Sequence, residues 1–320
     1  MIFLPDNDII KSAADVIRKG GLVAIPTETV YGLAANALNP YACAKIFEAK
    51  KRPFFDPLIV HIADYKMLES VASSVPSELQ KLITRFWPGP LTVILPKNES
   101  IPEIVTSGLS TVAVRMPRHE VTLSLIRESA LPLAAPSANP FGYLSPTEAI
   151  HVEEQLGSSV DMIIDGGRCE VGVESTIVKY HNGKIYCLRP GGITLEELSE
   201  TAGCEAVLSD GSDVPEAPGL LPSHYSPNAR VVLIEEGESV AAGDDVALCL
   251  FRKNLNKGHY ASVEILSENG DLREAASNLF SALHRLDGTG ASVIYIEKVV
   301  EQGIGVAIMN RMKKAAARQD

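Results

Sequence analysis

The chain of 320 residues lacks the features that mark most specialised protein classes. Its five cysteines, at 43, 169, 187, 204 and 249, form an odd set with neither C-x-x-C nor zinc-type spacing to histidine. This argues against a disulfide framework and fits reduced, mostly buried thiols in a cytoplasmic protein. No run of about 18 apolar residues is present, so no helix is expected to span a membrane. The start, Met1-Ile2-Phe3-Leu4-Pro5-Asp6-Asn7-Asp8, lacks the basic region and apolar core of a secretory signal. G-x-x-x-x-G-K-[ST], H-E-x-x-H, G-x-S-x-G and the protein-kinase set are all missing. Gly288-Thr289-Gly290 and Gly303-x-Gly305 lack the third glycine of a dinucleotide fingerprint. No internal repeat or low-complexity tract is visible.

What is present reads as a soluble, globular chain, 46% hydrophobic and 22% charged, long enough for about two domains. The net charge of -11 is unevenly placed. Residues 1–150 carry 14 acidic and 14 basic side chains, residues 151–250 carry 18 and 5, and residues 251–320 carry 8 and 10. Such a chain has no global attraction for nucleic acid, and any polyanion site must be a local cationic pocket.

Along the chain, helical periodicity and caps predict helices over 8–18, 41–50, 66–72, 77–86 and 120–129. Short β-rich runs at 22–25, 58–62, 91–95, 111–116, 131–135, 160–164, 175–180 and 185–188 predict strands. Ser145-Pro146-Thr147-Glu148 has the pattern of a helix start with a capping box, a sufficient structural role for Ser145. Thr194 to Glu197 repeats that signal. Residues 205–229, with Pro215, Pro218, Pro222 and Pro227, read as an acidic linker, although His224 and Tyr225 suit a segment that folds back onto a surface. Beyond it, strands at 231–234, 246–251, 263–266 and 292–296 and helices at 272–286 and 304–318 predict a small parallel α/β domain.

The stretch Lys50-Lys51-Arg52-Pro53-Phe54-Phe55-Asp56-Pro57-Leu58-Ile59-Val60-His61 organises the first half. Its prolines bias the chain away from helix, and alternate residues of an extended chain point the same way, so Lys50 and Arg52 are expected to reach one ligand. Pro26 to Leu33, rich in hydroxyls, sits where a strand meets its loop, the usual ligand position in an open α/β sheet. Arg115 interrupts an apolar strand and needs a carboxylate from the protein or from a ligand. Together, Thr29, Lys50, Arg52, His61, Arg115, Ser137, Ser145, Ser175 and Arg189 supply donors and positive charge at strand ends. This set suits phosphate and carboxylate binding better than covalent catalysis, since no nucleophile stands with its base.

Seven motifs in order carry a resemblance: Pro26-Thr27-Glu28-Thr29-Val30-Tyr31-Gly32-Leu33, Lys50-x-Arg52-Pro53 through Pro57-Leu58-Ile59-Val60-His61, Trp87-Pro88-Gly89-Pro90-Leu91-Thr92, Val114-Arg115-Met116-Pro117, Pro136-Ser137-Ala138-Asn139, Glu174-Ser175-Thr176-Ile177-Val178 and Arg189-Pro190-Gly191. The chain resembles the YrdC/Sua5 family and, with Pro218-Gly219 and His224-Tyr225-Ser226-Pro227 before a small α/β domain, its longer Sua5 branch.

The resemblance implies a twisted YrdC-like α/β catalytic domain over 1–204, a linker over 205–229 that folds over the active site, and a small parallel-sheet, Rossmann-like Sua5 domain over 230–320. It implies a threonylcarbamoyl-AMP synthase that joins L-threonine, bicarbonate and ATP, releases pyrophosphate, and feeds a downstream threonylcarbamoyl-transferase for t6A at position 37 of ANN-decoding tRNAs. Threonine would be held by Thr29, His61, Arg115, Ala135 and Ser175. ATP would be held by Arg52, Asp56, Thr111, Ser137, Ser145, Arg189 and Tyr225. Lys50 and Arg52 would form the catalytic K-x-R pair, and Mg2+ would come with the ATP phosphates rather than on protein ligands. Asp56 departs from the family, which usually has asparagine there, and a carboxylate beside phosphates repels them unless a metal or Lys50 intervenes. Two other readings are an RNA-binding module of the same fold, which the near-zero charge of 1–150 disfavours, and a carbamoyl-transfer enzyme of hydrogenase maturation, whose acylphosphatase-like and zinc-finger segments are absent.

Overall fold

Asp6 starts the first helix, Asn7–Arg18, by accepting hydrogen bonds from the backbone N–H groups of Asp8 and Ile9, a cap worth about 1 kcal/mol. Ala13, Ala14 and Ile17 face the core at helical spacing. The helix Pro40–Lys50 is capped by Asn39 and opens on its proline. It ends where Lys51 turns left-handed, at φ 51°, and the N–H of Arg52 returns to the carbonyl of Phe47. Leu79, Leu82 and Ile83 bury one face of Ser77–Phe86.

The computed structural model describes residues 1–209, 224–253 and 258–317. The Gly219 to Ser223 part of the linker lies outside the described residues, as does the predicted end of the last helix at Arg318. Eleven strands form a mixed sheet in the order Ile2–Phe3, Met162–Ile164, Val23–Ile25, Gly32–Asn36, Leu133–Ala134, Ile59–His61, Thr111–Arg115, Leu91–Pro96, Thr176–His181, Lys184–Arg189 and Ala206–Leu208. Four more, in the order Arg230–Ile234, Val293–Glu297, Gly243–Leu250 and Tyr260–Ile265, form a separate parallel sheet. The helices Leu272–Asp287 and Gly305–Ala316 cover it. The fold is therefore mixed α/β, a large sheet followed by a small parallel one, as the sequence implied. Every cysteine is a free thiol, and only Cys204 is partly exposed. No helix among the described residues is long and apolar enough to cross a membrane.

Three local expectations are corrected. Gly32–Asn36 is a strand although its sequence, Gly-Leu-Ala-Ala-Asn, has no β-branched residue; pairing on both sides, with Val23–Ile25 and Leu133–Ala134, overrides that weak propensity. Ala206–Leu208, read as the start of the linker, is the edge strand beside Lys184–Arg189. Ser145 caps no helix. The next helix is Ala149–Leu156, its N-cap is Glu148 without a side-chain cap bond, and the Ser145 hydroxyl donates instead to Glu174. The Thr194–Glu197 capping box is present.

The first core runs along the large sheet, from Ile17, Ile25 and Leu33 to Val114 and Ile163, while Ile59, Ile94, Ala113 and Ile177 form a separate small cluster on the alternate positions of four of its strands. The second is built on Leu279, Phe280, Leu283, Ile294, Ile308 and Met312, and it also takes in Val30, Leu144, Val173 and Tyr225. Each such fully buried side chain contributes about 1.5–3 kcal/mol. Apolar packing is thus continuous from the small sheet to the mouth of the large one. Gly172, at φ 72°, lets the 272–287 helix approach: a Cβ there would lie 2.5 Å from the Cα of Ser277.

Candidate active site

Ile59–His61 and Thr111–Arg115 run parallel, with His61 opposite Arg115 in register at their carboxyl ends. At that edge the structure encloses a pocket lined by Thr27, Thr29, Val30, Tyr31, Gly32, Arg52, Ile59, His61, Arg115, Ala135, Pro136, Ser137, Glu174, Ser175, Arg189, His224 and Tyr225. The space accessible to the centre of a water molecule is about 40 Å³, room for roughly three waters.

The hydroxyls on the wall are held by short-range bonds. Thr27 Oγ1 donates to the carbonyl of Val30 at 2.6 Å, accepts from the N–H groups of Thr29 and Val30, and lies 2.9 Å from Thr29 Oγ1. Ser175 Oγ pairs with Thr92 Oγ1 at 2.7 Å and accepts from Arg189 Nη2 at 3.1 Å. The backbone N–H of Ala135 donates to the carbonyl of Ile59.

Arg115 finds its carboxylate in the protein. Glu28 Oε2 lies 2.8 Å from Arg115 Nη2, with both side chains buried. The contact is close but off-axis, so the Nη2 hydrogens have no aligned acceptor and Glu28 Oε1 has no donor. Burial and the adjacent Arg115 push His61 down to about 3, so its ring is neutral at neutral pH. Its Nδ1 lies 3.3 Å from the carbonyl of Ile59. For Glu174, burial raises the carboxyl, but Arg311 and Arg189 outweigh it and hold the group at about 2.

Of the sequence-predicted residues, Thr29, Arg52, His61, Arg115, Ala135, Ser137, Ser175, Arg189 and Tyr225 share this one wall. Lys50, Asp56, Thr111 and Ser145 do not line it. Lys50 ends a helix rather than lying in an extended chain, and the left-handed turn at Lys51 separates its direction from that of Arg52. Its ammonium is buried and donates to the carbonyls of Ser137 and Asn139, bracing the Ser137 wall from behind. Burial, then Arg52, lower its pKa well below the usual lysine range. Asp56 pairs with Arg52 at 2.8 Å. Thr111 begins the strand that ends at Arg115, opposite Pro96, about 13 Å away along an extended chain. Ser145 serves Glu174.

The sequence reading missed Glu28, Glu174 and His224 as site residues, although all three fall inside the motifs quoted for the resemblance. Only their neighbours had been given roles.

The comparisons with known proteins identify the family. The Sua5/YciO/YrdC family profile, described as telomere recombination, matches residues 15–191. A second profile, described as the threonylcarbamoyl-AMP synthase C-terminal domain, matches 193–317. The chain is 45% identical to the threonylcarbamoyl-AMP synthase of Pyrococcus abyssi over 318 residues, covering 96% of this chain and 94% of that one. It is 42% identical to that of Bacillus subtilis over 320 residues, covering 96% and 92%. The crystal structure of P. abyssi Sua5 complexed with L-threonine superposes with a TM-score of 0.89 at 42% identity, over 99% of this chain and 97% of that one. With profiles over both sheets and full-length relatives at this identity, the chain belongs to the Sua5/YciO/YrdC family, among the members that carry the Sua5 C-terminal domain.

Proposed function

We infer that this chain is a threonylcarbamoyl-AMP synthase, which converts L-threonine, bicarbonate and ATP into L-threonylcarbamoyl-adenylate and pyrophosphate. The observation that carries the reading is Arg115 at the pocket wall, buried, charged, and with Nη2 hydrogens that no protein acceptor meets on axis. A threonine carboxylate supplies that acceptor, and a charge-assisted pair of this kind is worth about 1.5–3 kcal/mol. Ser175 and Thr29 lie on the same wall, within reach of the polar groups of a small amino acid.

The threonine amine and bicarbonate condense to a carbamate with loss of water. A carbamate oxygen then attacks the α-phosphorus of ATP, a new P–O bond forms, and the bond to the β-phosphate oxygen breaks to release pyrophosphate. Arg52 and Arg189, which line the same pocket, offset the negative charge that develops. The reaction needs positioning and exclusion of water more than a nucleophile. Mg2+ enters as part of the ATP substrate. Glu174 on the pocket wall and Asp56 behind it are each paired with an arginine. The product would pass in the cytoplasm to a threonylcarbamoyl-transferase acting on tRNA.

Purified protein given Mg-ATP, threonine and bicarbonate is expected to release pyrophosphate only when all three are present. Release without threonine would overturn the reading.

A further inference from the structure

The small sheet carries no pocket-lining strand, yet its last helix reaches the site. Arg311, on Gly305–Ala316, is 1% exposed. Its Nε donates to Glu174 Oε2 at 2.9 Å and its Nη1 to the carbonyl of Pro190 at 2.6 Å. Its guanidinium carbon lies 5.4 Å from the ring centroid of Tyr225. These contacts fall on three separate pieces of the site. Glu174 begins the segment that carries Ser175, Pro190 follows Arg189, and Tyr225 closes the wall from the linker. The other oxygen of Glu174 accepts from Ser145. Arg189, the nearer cation on the large sheet, bonds to Ser175. The helix 272–287 secures the same region from another side, where Ser281 Oγ meets Thr147 Oγ1 at 2.9 Å and His284 Nε2 lies 3.1 Å from the carbonyl of Ser145.

We propose that Arg311 is a positioning residue of the substrate pocket: from outside the wall it fixes Glu174, the turn after Arg189 and the ring of Tyr225, so that the pocket is complete only when the C-terminal unit is docked. The unit is thereby part of the catalytic assembly, although none of its residues touches the enclosed space. The proposal rests on the reaction assigned above for its kinetic test, but not for its structural one.

The test compares wild-type full-length chain with Arg311→Met, Arg311→Lys and the double variant Glu174→Gln with Arg311→Met. Glutamine at 174 still accepts from Ser145 but needs no cation. Arg311→Met is expected to lower kcat/KM for ATP by at least thirtyfold. Arg311→Lys and the double variant should each recover at least tenfold of that loss. Hydrogen exchange at 174–178 and 224–226 should rise in Arg311→Met and fall back in the double variant. Wild-type constants and exchange in Arg311→Met would overturn the proposal, as would a loss that neither companion variant recovers and that follows the melting temperature alone. A wild-type chain that releases no pyrophosphate overturns the assigned reaction instead, and the exchange measurements still decide the role of Arg311.

Discussion

Asp56 lies 2.8 Å from the Nη2 of Arg52, four residues back, with both side chains sealed from solvent. The carboxylate oxygen is off the N–H axis and has no aligned donor. The guanidinium N–H groups go instead to the carbonyls of Asp56 and Pro57, each at 2.9 Å. Asp56 therefore acts on the pocket through Arg52, cancelling part of its charge, and the repulsion expected from the sequence is absorbed by the arginine itself.

Replacement of Asp56 by the isosteric asparagine is predicted to free that charge. The carbonyl bonds that aim Arg52 persist, but removing one partner of a buried pair leaves the other charge uncompensated, at a cost of about 3–5 kcal/mol of stability. ATP affinity should rise about three- to tenfold, or roughly 0.7–1.4 kcal/mol, with a clear fall in melting temperature. Calorimetric titration of Asp56→Asn with ATP checks this, and unchanged or weaker binding would show that Asp56 supports the site.

Arg115→Ala is predicted to raise the threonine requirement about 10- to 100-fold, the loss of one charge-assisted pair, while the ATP requirement moves less than threefold. Glu28 is then left buried without its cation, so melting temperature should be followed alongside. Equal losses for both substrates would identify Arg115 as a structural partner of Glu28.

Buried histidines set the acid limit of the fold. Burial lowers His61, His224 and His284 to about 3 and His151 to about 4. Each is neutral when folded and takes up a proton near pH 6.5 when unfolded. Their contribution to stability is complete above about pH 6.5 and is lost as pH falls toward 3 to 4, by up to about 1.4 kcal/mol per pH unit for each group. Urea unfolding at pH 7.5, 6.0 and 5.0 should show midpoints that fall with pH. A flat response would mean that these rings titrate alike in both states. Since His61 stays neutral through this range, kcat/KM should show no limb from it between pH 5 and 7.

The periodic elements were legible from apolar spacing, as in the first helix, and from caps, as at Thr194; the Asp6 cap was not read. The wall residues were legible because they cluster in motifs at strand ends. Direction was not legible. Lys51 takes a left-handed conformation that a lysine does not advertise, and that single turn sends Lys50 behind the wall. The carboxylate for Arg115 was left open between protein and ligand because Glu28 is 87 residues away in sequence. Arg311 was invisible for a related reason: among Lys313 and Lys314 it reads as the solvated face of a terminal helix, and only tertiary packing turns it inward.

The ion pair between Glu174 and Arg311 spans 137 residues of chain. Translation at 5–20 residues per second separates the two by roughly 7 to 27 s. During that interval the large sheet can assemble around a carboxylate whose partner has not yet been made. The order of synthesis thus delays a competent pocket until the Gly305–Ala316 helix has been made, so a chain cut short before that helix carries most of the wall but lacks the cation that sets it.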